Sequence, residues 1–114
     1  MSSHEPSPLK PAVLFLLVSL AAGEKHGYAL RKDVASRSGG SVRLGPATLY
    51  RTLAALLADG LIEESEERPA PGLDDERRRY YSLTPLGRSV LAAEARRMRE
   101  LVLEAEDSRL IPVS

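Results

Sequence analysis

From Ala12 to Ala22 the chain reads AVLFLLVSLAA, apolar at every position except Ser19. A helix that is apolar nearly all round has no face for water, so the rest of the chain must wrap it. Pro11 before the run and Gly23 after it are matched helix start and stop signals, and the helix between them is expected at the centre of the fold. The run is about half the ~20 residues that cross a bilayer, so no membrane partner is expected. The leader Met1–Lys10 is polar, with one lysine and no small-residue cleavage site in register, which predicts a cytoplasmic protein without a signal peptide.

The chain has 114 residues, the length of one domain. A chain this size buries roughly two-thirds of its unfolded surface and can hold a modest core without staples. It has no cysteine and no tryptophan, four tyrosines and one phenylalanine, so the core must be aliphatic and no disulfide, thiolate metal site or cysteine nucleophile is available. His4 and His26 lie too far apart in sequence to suggest a histidine metal site, and no cofactor is expected. Charge balances at 16 basic against 16 acidic groups, but unevenly: residues 1–60 carry net +3 and residues 61–114 net −3.

Punctuation divides the chain further. Residues 1–9 hold two prolines and three serines and read as a frayed tail. A second helix is predicted over Gly27–Arg37, with Leu30 and Val34 sharing a face and Gly39-Gly40 stopping it. Ser41–Leu44 is too short for more than a minimal extended piece. Pro46 opens a third helix, in which Leu49, Leu53, Leu56 and Leu57 form an apolar stripe and Gly60 is the left-handed stop. Leu61–Ser65 and Arg79–Leu83 read as strands joined by a long polar hairpin loop. Thr84-Pro85 then caps a helix running to about Asp107, and residues 108–114 form a tail. The expected fold is therefore mainly α with a small β-hairpin: a winged helix-turn-helix over residues 10–83, followed by a long C-terminal dimerisation helix over 84–107.

Catalysis is disfavoured by elimination. No G-x-S-x-G elbow occurs, and Gly40-x-x-x-x-Gly45 is followed by Pro46-Ala47 instead of the Lys-Ser/Thr of a phosphate loop. The carboxylate pairs Glu63-Glu64, Glu66-Glu67 and Asp74-Asp75 flank the hairpin as a solvated edge. His26, at a helix start, reads as a capping or structural residue. No enzyme activity is expected.

Double-stranded DNA is the expected partner. In a helix-turn-helix the second helix of the pair enters the major groove, N-terminal residues first. Here that is the helix beginning at Pro46, whose second face, Ala47, Thr48, Arg51, Ala55 and Ala58, is small enough to approach the groove floor. Thr48 can bond phosphate or base and offer a methyl to thymine, and Arg51 can read guanine or grip phosphate. Tyr50 sits beside the apolar stripe with its hydroxyl towards the DNA backbone. On the hairpin, Arg77-Arg78-Arg79 suit phosphate or minor-groove contact or pair with Asp74-Asp75-Glu76. Alternation that turns Leu83 inward turns Arg79 and Tyr81 inward too and leaves Arg78 as the better contact. The alternative is a winged-helix protein–protein interaction module, which the neutral net charge favours.

In the last helix Leu91, Ala95, Met98, Val102 and Ala105 step by 4, 3, 4 and 3, a heptad seam that Leu101 widens. Glu94 and Arg97, and Arg96 and Glu100, can pair on the outside. An exposed seam needs a cover, and a second copy of the chain supplies it, so a homodimer is expected. Its two-fold symmetry would set two reading helices ~34 Å apart, one DNA turn, over a palindromic site. A small-molecule effector is the expected release signal, in an apolar space between Leu14–Leu20 and Leu91–Val102.

Four motifs in order, His26-Gly27-Tyr28 with Leu30, Thr48-Leu49-Tyr50 with Leu53, Asp59-Gly60-Leu61-Ile62, and Tyr80-Tyr81-Ser82-Leu83-Thr84 with Gly87, resemble the PadR family of bacterial transcriptional regulators. The resemblance runs from about Leu14 to Gly87. It implies a winged-helix repressor that dimerises through its C-terminal helix, of the short subtype with one such helix. Two positions depart from it. Ala47 stands where the family often has glycine, and the chain lacks the tryptophan with which some short members bind flat aromatic drugs.

Overall fold

The computed structural model describes residues 8–65, 68–69 and 77–114, with the side chains of 68, 69 and 77 outside the description. Helix α1 spans Pro11–Ala21, α2 Gly27–Arg37, α3 Pro46–Ala58 and α4 Pro85–Asp107. The strands are β1 Lys25–His26, β2 Ile62–Glu64, β3 Arg68–Pro69, β4 Arg77–Arg78 and β5 Tyr80–Leu83.

The predicted starts hold: Pro11, Pro46 and Pro85 each open a helix, where a missing N–H costs nothing. Gly39, Gly40 and Gly60 take the positive φ values (62°, 85° and 74°) that end α2 and α3 without a Cβ clash. The Gly40–Gly45 segment is thus a helix–helix connection.

Leu16, Leu17 and Leu20 of α1 meet Leu30 and Val34 of α2, Leu49, Leu53 and Leu56 of α3, Ile62 and Tyr81 in one core. Each fully buried leucine contributes about 2 kcal/mol. The α1 helix is less enclosed than its composition predicts: Leu14 and Val18, one turn apart, are only half-buried. Its buried Ser19 is satisfied, as its Oγ donates to Asp33 Oδ2 (2.5 Å), which also accepts from Arg37 Nε (2.6 Å). Lys25 Nζ donates to the Ser19 carbonyl (2.6 Å). Burial alone would raise the Asp33 pKa, but these hydrogen bonds and the charges of Arg37 and Lys25 hold it below the usual value.

The sheet has three antiparallel strands in the order β1-β5-β2, one more than the hairpin predicted. Lys25 and His26 pair with Tyr81 and Tyr80, and Ile62 to Glu64 pair with Leu83 to Tyr81. Two residues show no alternation, so β1 is invisible to periodicity; only β5 supplies its partner. With β5 central, Tyr80 and Tyr81 are both buried on opposite faces, Tyr81 in the core and Tyr80 edge-on to His26 (5.4 Å between ring centroids). The strands β3 and β4 form a separate ladder further out on the hairpin.

Thr84 seats α4. Its Oγ1 accepts from Gly87 N (3.0 Å) and donates to the Gly60 carbonyl (2.6 Å), while its N–H donates to Leu61 O (3.2 Å). The helix passes so close to Leu61 that a Cβ on Gly87 would lie 1.9 Å from the Leu61 carbonyl oxygen. Beyond its first turns α4 leaves the core, and the molecule measures 54 × 36 × 22 Å. Arg109, with φ of 60°, then reverses the chain so that Leu110 and Ile111 donate to Ala105 O.

Candidate nucleic-acid interface

Helix α3 divides as its pattern predicts. Leu49, Leu53 and Leu56 are buried and Leu57 half-buried, while Pro46, Ala47, Thr48, Tyr50, Arg51, Ala55 and Ala58 face outward. The outward face is low apart from one turn, where Arg51 Nη2 donates to Thr48 Oγ1 (3.3 Å). Gly45 supplies no side-chain cap, so the first N–H groups of α3 keep their donor capacity towards anions.

Tyr50 is half exposed, and its hydroxyl end lies close against Gly27: a Cβ there would come within 2.4 Å of its oxygen. Glycine after His26 thus lets the third helix lay a tyrosine over the start of the second. His26 is the capping residue expected, since its Nδ1 accepts from Ala29 N (3.3 Å). Its ring stacks on Tyr28. Burial, then the charge of Arg78, lowers its pKa below 6.5. Tyr81 moves the other way, raised chiefly by burial and next by Glu64.

The wing corrects one expectation. Arg79, which alternation turns inward, is exposed and pairs with Glu64 Oε1 at 3.0 Å, whereas Arg78 is half-buried. Residue 79 falls between β4 and β5, where the ladder breaks, so alternation does not carry across it. The side chain of Arg77, and Glu66, Glu67, Asp74, Asp75 and Glu76, lie outside the described residues.

The α4 seam separates into two parts. Leu91 packs on the chain's own core, while Ala95, Met98, Leu101 and Val102 are exposed, Leu101 at 68%, and Ala105 is half-buried. Glu94, expected on the outside, is buried at 6% exposure, and its partner Arg97 reaches it from the exposed surface. No ion pair joins Arg96 to Glu100 among the described residues. A heptad position gives no hint of this, because Glu94 is covered by the fold and not by its own helix. Sequence reading assigns no role to Arg31, Lys32 and Arg43, yet they surround one hollow between α2 and the α2–α3 connection.

Among the described residues no group of three metal-binding side chains gathers, and no helix is long and apolar enough to cross a membrane. An exposed, alanine-lined third helix beside a small sheet with a projecting hairpin defines a winged helix-turn-helix protein. Residues 16–93 match the family model described as the transcriptional regulator PadR-like family, and the chain belongs to that family, which consists of regulators and not enzymes. It is 42% identical over 91 residues to the transcriptional regulator Rv3488 of Mycobacterium tuberculosis, covering 80% of this chain and 78% of that protein. It is 40% identical over 90 residues to an uncharacterized 37.1 kDa protein in transposon TN4556 of Streptomyces fradiae; the match covers 79% of this chain but only 24% of that longer one. In fold it is similar to a PadR family transcription regulator from Clostridium difficile (TM-score 0.68, 22% identity, 90% of this chain and 100% of that one). A Streptococcus transcriptional regulator is equally similar (TM-score 0.69, 23% identity, 92% and 99%).

Proposed function

We propose that the chain is a homodimeric, sequence-specific DNA-binding repressor that holds a palindromic operator and leaves it when a small molecule binds. The observation that carries this reading is the outward face of α3, where Ala47, Thr48 and Arg51 stand clear above a buried leucine stripe. Pro46, Ala47, Thr48, Tyr50 and Arg51 enter or flank the major groove, and Arg77 and Arg78 serve the wing. Residues 10–83 form the reading unit and 84–107 the dimerisation helix. Ala95, Met98, Leu101, Val102 and Ala105 form the seam, with Leu91 joining it to the core. The effector space is narrower than the sequence implies, because Leu16, Leu17 and Leu20 are enclosed in their own chain. Leu14 and Val18 remain to line it with the exposed part of α4. The protein acts in the cytoplasm, where its DNA is.

Selection of bound duplexes from a random pool tests the reading. An enriched two-fold symmetric sequence is the expected result. Absence of any enrichment at low salt overturns it in favour of the protein–protein module, the reading that the net charge of zero favours.

A further inference from the structure

Tyr28, Arg31, Lys32 and Ala35 of α2 and Arg43 and Leu44 of the α2–α3 connection line a hollow of about 210 Å³. Three of the six carry positive charge. Arg37, Arg79 and Arg97 are each neutralised by a carboxylate; Arg31, Lys32 and Arg43, like Arg51 and Arg96, share no ion pair with any described residue, but they alone among these line one hollow together. Like charges gathered without a counter-charge repel one another, and an anion between them relieves that repulsion.

Two of the three groups have a partner that positions them. Arg31 Nε donates to the Leu44 carbonyl (2.8 Å), which fixes the guanidinium plane and leaves its two Nη groups for a ligand. Lys32 Nζ lies over the Tyr28 ring, 5.4 Å from its centroid. The Arg43 guanidinium lies against Gly40, close enough that a Cβ there would sit 3.2 Å from its Nη2. Two guanidinium forks and one ammonium match the several oxygens of a phosphate better than the two of a carboxylate. A water's share of liquid volume is about 30 Å³, so the hollow has room for a phosphate group with part of its hydration shell. Leu44 is two residues before Pro46, and Tyr28 adjoins the Gly27 on which Tyr50 rests, so the hollow borders the exposed face of α3.

We propose that this hollow is a phosphate-binding site, with Arg31, Lys32 and Arg43 as its ligands. The phosphate comes either from a DNA backbone gripped beside the reading helix or from a free phosphorylated small molecule. The first source rests on the DNA-binding reading; the second does not.

The test uses the full chain and the double variant K32Q/R43Q, which leaves the structural Arg31–Leu44 bond intact. In the first arm, inorganic phosphate and pyrophosphate are titrated at constant ionic strength against chloride, with amide NMR shifts as readout. Saturable shifts at residues 28–35 and 43–45, lost in the variant, support the site with free phosphate as its source. In the second arm, affinity for duplex DNA is measured across salt concentrations. A salt slope smaller in magnitude by about one in the variant, for the one phosphate released, with equal loss on all sequences, supports a DNA phosphate. If the variant matches the wild type in both arms, the proposal is overturned. A wild-type chain that binds no duplex refutes the DNA-binding reading, and the phosphate titration then decides the site alone.

Discussion

Gly27 shows how a single hydrogen in place of a methyl makes room for the Tyr50 side chain, a proposed DNA contact. Alanine there would meet the Tyr50 hydroxyl, not backbone, so the tyrosine swings aside and the core is spared. Gly27→Ala should therefore change stability by no more than about 0.5 kcal/mol while weakening DNA binding. Adding Tyr50→Phe should recover part of the affinity, because it deletes the clashing oxygen; thermal melts and a binding titration on the same samples check both halves. His26 makes a second, pH-dependent prediction. Its folded pKa is lowered by burial and by Arg78, so the folded state resists a proton that the unfolded chain accepts. The stability this confers is present above pH 6.5 and drains as pH falls from 6.5 through the lowered value. Urea midpoints at pH 7.5 and pH 5 should differ in the wild type and converge in His26→Asn, whose amide oxygen can replace Nδ1 as the cap acceptor. An unchanged pH difference in that variant would place the titrating group elsewhere.

Helix α4 does two jobs along its length. Its first turns are fixed by the Thr84 cap and by the close pass of Gly87 over Leu61. Because the atom met there is backbone oxygen, it cannot swing away as Tyr50 does, and Gly87→Ala should cost about 1–3 kcal/mol in urea unfolding. A loss below 0.5 kcal/mol would mean that the helix slides freely on the sheet. The outer turns carry Met98, Leu101 and Val102 into solvent. Leu101→Glu should leave the far-ultraviolet circular dichroism unchanged and halve the mass seen by sedimentation at micromolar concentration. A wild type that already sediments as a monomer would remove the seam's proposed role.

In the proposed dimer, reading helix and wing act together only if α4 holds the two copies in fixed register. At 23 residues it is about 35 Å long, similar to one turn of DNA. Arg51, tethered among the described residues only to Thr48, should behave as a reader: Arg51→Ala should cost about 1–3 kcal/mol and relax one operator position. A uniform loss on every duplex would make it a phosphate contact instead. The net charge of zero does not oppose this, because binding responds to local charge and not to the total.

Local chemistry was legible without coordinates. The prolines that open helices, the glycines that end them, the Thr84 cap and the leucine stripe of α3 each depend on backbone geometry within a few residues, so their spacing suffices. Contacts between segments distant in sequence were not legible. The strand β1 exists because β5 runs beside it; Arg79 turns outward because the ladder breaks there; Glu94 is covered by the fold, and Arg31, Lys32 and Arg43 converge only when α2 and its following loop are folded together. Sequence spacing records which residues share one face of one element. Which faces then meet is set by packing among elements, and that information resides in no single segment.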